Sequence, residues 1–340
     1  MKHTAKVLIT AGAILLGAIP AQAAEAEISQ GMFAWLTVEA YNSACSINGG
    51  TENLWENEIE GMAAEDWILA EAKNSAKKYL AVEEEFAQSG LSLRASEEET
   101  IDETLERYWN ELGYGRYYED FGIGEDDFRD VLTHSTKISI LYDEKKAELE
   151  EAITQEELTS YIQEHTTLLE YISVPYSEEL DEDATEEEKA AWTDADAIYN
   201  GYRDRLEEGE SLADLVEEVG ADEELQTLGV GSSWQYELPD VLFWNDSSQL
   251  SEEFRAAMAE AEPGTIYYFD DAAQSYQIIF MTEEFSPDWE GLDYYRDSIV
   301  SAMTDQAFLD EMSSWGEEME LANEADLPTA QEIRAMWNEE

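Results

Sequence analysis

The amino-acid sequence predicts an α+β protein: a helical body split in sequence, with a small domain of antiparallel sheet flanked by helices inserted between its halves. Three observations carry this expectation. Apolar residues recur at helical spacing through residues 54–165 and again from Asp288 onward. At "LLEYISVPY" (168–176) the period changes from helix to strand. Finally, "EPGTIYYFDDAAQSYQIIFMT" (262–282) reads as turn, strand, polar turn and strand, because Pro263-Gly264 and Asp270-Asp271 punctuate runs of β-branched and aromatic residues.

Taken in order, residues 1–23 read as a cleavable export signal. Lys2 and Lys6 make a positive start, Val7 to Ile19 is a short apolar run, and Ala21-Gln22-Ala23 is a small-x-small cleavage site. The run is too short to span a bilayer comfortably. An extracytoplasmic protein, with no membrane insertion after cleavage, is therefore expected. Residues 24–167 read as an N-terminal helical domain, with little structure legible before residue 52. Ile68, Leu69, Ala72, Ala76, Tyr79 and Leu80 mark a helix that Gly90 stops, and Ser96-x-x-Glu99 has the form of a capping box for the next. A long helix follows in "EDDFRDVLTHSTKISILYDEKKAELEEAI", with Phe128, Val131, Leu132, Ile138, Leu141 and Tyr142 inward. Thr154-x-x-Glu157 caps a short helix on whose apolar stripe His165 falls, which suggests a core histidine. Residues 168–284 form the inserted domain, in the order β-α-α-β-α-β-β, with an acidic loop from Ser177 to Lys189 after its first strand. Residues 285–340 return to helix, and the stripe of Tyr295, Ile299, Met303, Leu309, Met312 and Trp315 is expected to pack on the N-terminal domain.

Composition narrows the chemistry. Of 340 residues, 44% are hydrophobic and 11% aromatic, enough for real cores, and the length favours two domains. The formal net charge is −63, which argues against nucleic acid and anionic membrane surfaces, since both need clustered Lys and Arg. Three histidines and the single Cys45 leave no disulfide framework and no Cys/His zinc set, and no D-x-[DN]-x-[DN]-G calcium loop occurs. No metal and no cofactor is expected.

Several segments, in order, carry a resemblance. Tyr171-Ile172-Ser173-Val174 is similar to an H-I-L-V strand, and "LEEGESLADLVEE" (206–218) to an L-K-x-G-x-x-F-x-x-L-A helix pair. Ser248-Gln249-Leu250-Ser251-Glu252-Glu253-Phe254 is similar to G-Q-M-x-x-x-F, and Glu262-Pro263-Gly264-Thr265-Ile266 to K-P-G-E-V. Gln274 to Met281 is similar to Y-G-Y-H-I-I-K-V. Together these resemble the parvulin-type peptidyl-prolyl isomerases. With "GIGEDDFRDVL" and the Thr154–Tyr161 helix before them, the whole order resembles the PrsA/SurA-type extracytoplasmic foldases, whose N-terminal body is a helical chaperone domain.

The resemblance implies a site. Family members place a histidine on each of two central strands beside a Cys or Asp; here those positions hold Tyr171 and Gln277, with Asp222 the nearest acidic candidate. It further implies that Tyr171 and Gln277 share one face of the sheet. Gln249, Leu250, Phe254 and Tyr276 fall where the family holds the proline ring, although Leu250 and Phe254, four apart, also suit a plain helix core. The function implied is a folding factor that binds unfolded or newly exported polypeptides, basic and Pro-containing ones among them. With both histidines replaced, its isomerase activity is in doubt. The alternative is an active peptidyl-prolyl isomerase that works with Tyr and Gln.

Overall fold

A computed structural model of the protein describes residues 24–176, 195–235 and 237–337. The export signal and most of the acidic loop lie outside the described residues. The chain divides into two compact units. One comprises residues up to Ala152 together with Thr304–Glu340, and the other Ile153–Met303.

The first unit opens with strand β1 (Ala24–Ala26) and a helix, Gln30–Asn48, where the sequence reading found little. Ser29 Oγ caps that helix by accepting from the Met32 amide at 3.0 Å, and Gly49, at φ 78°, ends it. Its buried stripe is Phe33, Thr37, Ala40 and Ala44: the spacing is helical, but threonine and alanine make it faint in sequence. A hairpin of β2 (Glu58–Ile59) and β3 (Met62–Ala63) leads into the helix Ala64–Ser89, stopped at Gly90 with φ 74°. The next helix, Ala95–Leu105, is not capped by Ser96 as its spacing suggested. Arg94 is the capping residue, because the Glu97 carboxylate accepts from both the Arg94 amide (2.6 Å) and its side-chain Nε (2.8 Å). A π-helical turn (Glu106–Glu111), a short helix (Tyr114–Glu119) and the long helix Glu125–Ala152 complete this half.

The second unit starts at Ile153, ahead of the boundary at 168 that the change of period suggests, and its first helix opens on a reciprocal capping box. Thr154 Oγ1 accepts from the Glu157 amide at 3.2 Å while Glu157 accepts from the Thr154 amide at 2.9 Å. The helix Gln155–His165 buries Leu158 and Ile162. His165, expected in the core, is instead exposed. It occupies the last turn, where a basic side chain suits the helix dipole, with its ring 4.2 Å from that of Tyr161. Strand β4 (Thr166–Pro175) then runs through the middle of a five-stranded antiparallel sheet. β5 (Gly231–Ser232) and β6 (Val241–Trp244) pair along one edge of β4; on its other side lie β8 (Tyr276–Glu283) and then β7 (Ile266–Asp271). β6 is an addition to the expected order, a four-residue run too short to show alternation. Helices Ala195–Glu207 and Leu212–Ala221 cover one face through Tyr199, Tyr202, Leu215 and Val216, which pack with Ile172, Val174 and Ile279. Helix Glu252–Glu260 covers the other through Phe254 and Met258, which pack with Leu169, Ile278 and Phe280. Burial on both faces explains why β4 reads as a nearly continuous apolar run.

The helix Leu292–Glu317 contributes to both cores in turn. Leu292, Ile299 and Met303 join Leu158, Ile162 and Leu168 in the second unit. Beyond residue 303, Phe308, Met312 and Trp315 join Val82, Phe86 and Leu141 in the first. Strand β9 (Met319–Leu321) lies parallel to β1, pairing Ala24 with Met319 and Ala26 with Leu321. Asn323 extends this closure by accepting from the Ile28 amide (3.2 Å) and donating to the Ile28 carbonyl (2.9 Å). A last helix, Ala330–Met336, buries Ile333 in the same core as Met32, Phe33 and Ile68. Among the described residues, no helix is long and apolar enough to cross a membrane.

Candidate functional site

Tyr171 stands near the middle of β4 and sets the site's location. Its amide donates to Ser233 Oγ (2.9 Å) and its carbonyl accepts from the Ser233 amide (2.9 Å), so the strand is pinned at this residue. Burial pushes the Tyr171 phenol upward, which keeps it protonated and able to donate at neutral pH. Its ring lies 6.0 Å from that of Phe243 on β6. Together Tyr171, Phe243, Gln249, Leu250, Phe254 and Tyr276 line a cleft of about 170 Å³. A wider cleft of about 560 Å³ shares Tyr171, Phe243 and Gln249 and adds Trp234, Trp244 and Tyr295.

Local sequence explains the wall opposite Tyr171. Ser251 starts the helix Glu252–Glu260 by accepting from the Phe254 amide at 3.1 Å. The same hydroxyl donates to Asp271 Oδ2 at 2.7 Å, and Asp271 Oδ1 accepts from the Gln274 amide at 3.1 Å. Asp271 is only 3% exposed, and it ties the helix start to the β7–β8 turn. In sequence Asp271 is turn punctuation; the amide three residues on, at Gln274, is what marks it as an Asx-type acceptor. Phe254 is 3% exposed and packs its ring against Phe269 and Phe280, at 5.3 and 5.1 Å, so it forms the floor of the cleft while Leu250 and the exposed Gln249 form its lip.

Two expected members do not join this group. In the β4–β8 register Tyr171 lies opposite Phe280, and Gln277 opposite Val174. Phe280 and Gln277 are three residues apart, an odd offset, so their side chains point to opposite faces. Gln277 is therefore on the face away from Tyr171, where its Nε2 donates to Asp196 Oδ1 at 2.6 Å. The expectation that the two side chains share a face is corrected by that register. Asp222 has a local task instead. Its Oδ1 accepts from the Glu224 and Leu225 amides, at 2.8 and 3.1 Å, as the cap of the short helix Glu223–Thr227, and it lies outside both clefts.

The face bearing Gln277 carries a different electrostatic feature. Glu170, 5% exposed, has its pKa pushed up to about 7, first by burial and then by Glu283 and Asp240 nearby. Burial raises Asp240 and Glu283 as well. Among the described residues, no group of three or more His, Cys, Asp or Glu side chains is placed to hold a metal ion.

In architecture this is an α+β protein in which a sheet-bearing unit interrupts a helical one. No family model matches the chain, and no curated protein matches it. Among solved structures it is similar to the foldase protein PrsA of Streptococcus pneumoniae strain Canada MDR_19A. That overlay has 16% sequence identity and a TM-score of 0.29, and covers 83% of this chain and 96% of the other. It is also similar to the foldase protein PrsA of Lactococcus lactis, at 9% identity and a TM-score of 0.30, over 87% of this chain and 94% of that one. Overlaps this low leave function to be read from the site.

Proposed function

We propose that the protein is an extracytoplasmic folding factor that captures unfolded or newly exported polypeptides, seating an apolar or Pro-containing segment in the cleft beside Tyr171. One observation carries the reading: Tyr171, Gln249, Leu250, Phe254 and Tyr276, on three separate segments, converge on one cleft. Rotation about an X-Pro bond has a barrier of about 18–20 kcal/mol and breaks no bond. A site therefore acts by holding the ring and favouring the twisted amide. Leu250 and Phe254 supply the apolar floor, and Tyr171 supplies a neutral donor. With Gln277 on the far face and no histidine or cysteine in the lining, the cleft is better suited to holding chain than to driving its rotation. The export pattern of residues 1–23 is the ground for the extracytoplasmic location, and the net charge of −63 for a preference toward basic clients.

The test joins two assays. The purified protein should suppress aggregation of an unfolded client, and Leu250→Ala should weaken client binding about tenfold, the worth of one partly buried aliphatic side chain. A protease-coupled proline peptide assay should show little acceleration. Strong isomerase activity that disappears in Tyr171→Phe would instead establish the alternative, an active isomerase working through the tyrosine.

A further inference from the structure

A second cavity lies wholly within the first unit. It measures about 250 Å³ and is walled by Met32, Leu36, Val82, Val131, Ile138 and Met312, with Trp35 and the half-exposed Leu309 also in its lining. Its polar lining residues are Ser75, Lys78, Tyr79, His134 and Ser313. Among the described residues no Asp or Glu lines it, in a chain where 81 of 340 residues are acidic.

Of the Lys and Arg side chains only Lys78 lines the cavity, and the helices that carry the lysines hold more Asp and Glu than Lys. Every lysine among the described residues (73, 77, 78, 137, 145 and 146) belongs to helices Ala64–Ser89 and Glu125–Ala152, which form two of the cavity walls. Three of the acids next to the cavity are already engaged. Glu83 meets His134 Nδ1 at 2.9 Å and Lys137 Nζ more closely still, and although burial raises its pKa, these two contacts hold it below the usual carboxylate value. Glu311 pairs with Lys145 at 3.0 Å. Asp127 accepts from the Gly124 amide at 2.9 Å, and Asp130 is exposed on its helix outside the lining. Lys78 lines the cavity with no ion-pair partner among the described residues. Its stem lies against Gly316, where an added Cβ would come within 2.8 Å of Lys78 Cγ.

From this we infer that the cavity in the helical unit is a peptide-binding site, taking an apolar side chain whose neighbouring residue carries a carboxylate that reaches Lys78. The inference rests on the reading that the protein captures unfolded chain, and adds to it a second site with a different charge preference. At about 250 Å³ the cavity is smaller than the ~300–1,000 Å³ that encloses a whole small-molecule ligand, but it admits one large side chain of a longer molecule. The acid-free lining and the unpaired ammonium select the neighbour. The net charge of −63 opposes an anionic peptide at long range, but beyond about 8 Å that repulsion is screened at physiological ionic strength and the local charge decides.

The full-length protein, labelled at its methionine methyl groups, is titrated with two short peptides that differ only in Leu-Asp against Leu-Asn, at about 0.15 M salt. The Met32 and Met312 resonances should move while that of Met258, in the other unit's core, stays still. The Asp peptide should bind about fivefold more tightly. Lys78→Gln should bring the two affinities together without moving the unfolding midpoint, and Val131→Phe, which fills the cavity, should abolish both responses. Leu250→Ala should leave all of this intact even where it weakens capture of larger clients, which separates this site from the Tyr171 cleft. Silent Met32 and Met312 resonances, equal affinities for the two peptides, or an Asp preference that survives Lys78→Gln would each overturn the inference.

Discussion

Glu170 is buried in the middle of β4, with no partner for its Oε2 among the described residues and with Asp240 and Glu283 near enough to raise its pKa. A carboxyl raised to about 7 in the fold, from an unfolded value of about 4.5, holds its proton over a range where the unfolded chain has lost it. Its contribution is therefore fully present below pH 4.5 and is lost as pH climbs to about 7. Glu170→Gln should remove that dependence and stabilise the protein by about 3 kcal/mol at pH 8, read as a denaturant midpoint that is higher than the parent's above the window and not below it. Gln277→Ala tests the partner strand on the same face. It loses the bond to Asp196, should cost about 1 kcal/mol, and should leave client binding unchanged because the side chain faces away from the cleft. A marked loss of client capture in that variant would restore Gln277 to the site.

Elements show what sequence could and could not disclose. The Thr154–Glu157 box and the Gly90 stop were legible because their chemistry is local: a side chain and an amide three residues away, or a left-handed φ. Helix Gln30–Asn48 escaped because its buried face relies on Thr37, Ala40 and Ala44, small residues that give little periodic contrast. Motif order points to Tyr171, Gln249, Leu250, Phe254 and Tyr276 of the cleft but not to Phe243, and it does not disclose the side on which Gln277 falls, since "YISV" and "SYQIIF" do not show their mutual register and one residue of slip exchanges the faces. Two substitutions probe these elements. Thr154→Ala should cost about 1 kcal/mol through the lost cap. Gly220→Ala should cost more, about 1–3 kcal/mol, because its new Cβ would meet Trp234 Cβ at 2.2 Å where helix Leu212–Ala221 ends. An unfolding midpoint that stays put in Gly220→Ala would mean that Trp234 yields freely.

At the scale of the whole molecule, charge and chain closure dominate. A net charge of −63 with a sequence pI near 4.1 makes self-repulsion a standing cost of the compact state. Raising ionic strength from about 0.01 to 0.15 M shortens the screening length from about 30 to 8 Å, so the thermal midpoint should rise by several degrees, and a midpoint indifferent to salt would refute this. The pairing of β1 with β9 has a consequence in time. Residues 24–152 leave the ribosome long before Met319–Leu321 and Ile333, which complete their core. At about 5–20 residues per second the stretch from Ala152 to Met319 takes roughly 8–33 s to synthesise. The sheet, with every strand between residues 166 and 283, is fully synthesised while its host still lacks a wall. The apolar faces of Gln30–Asn48 and Ala64–Ser89 are thus left open through most of synthesis, and the last few dozen residues decide when the helical unit is folded.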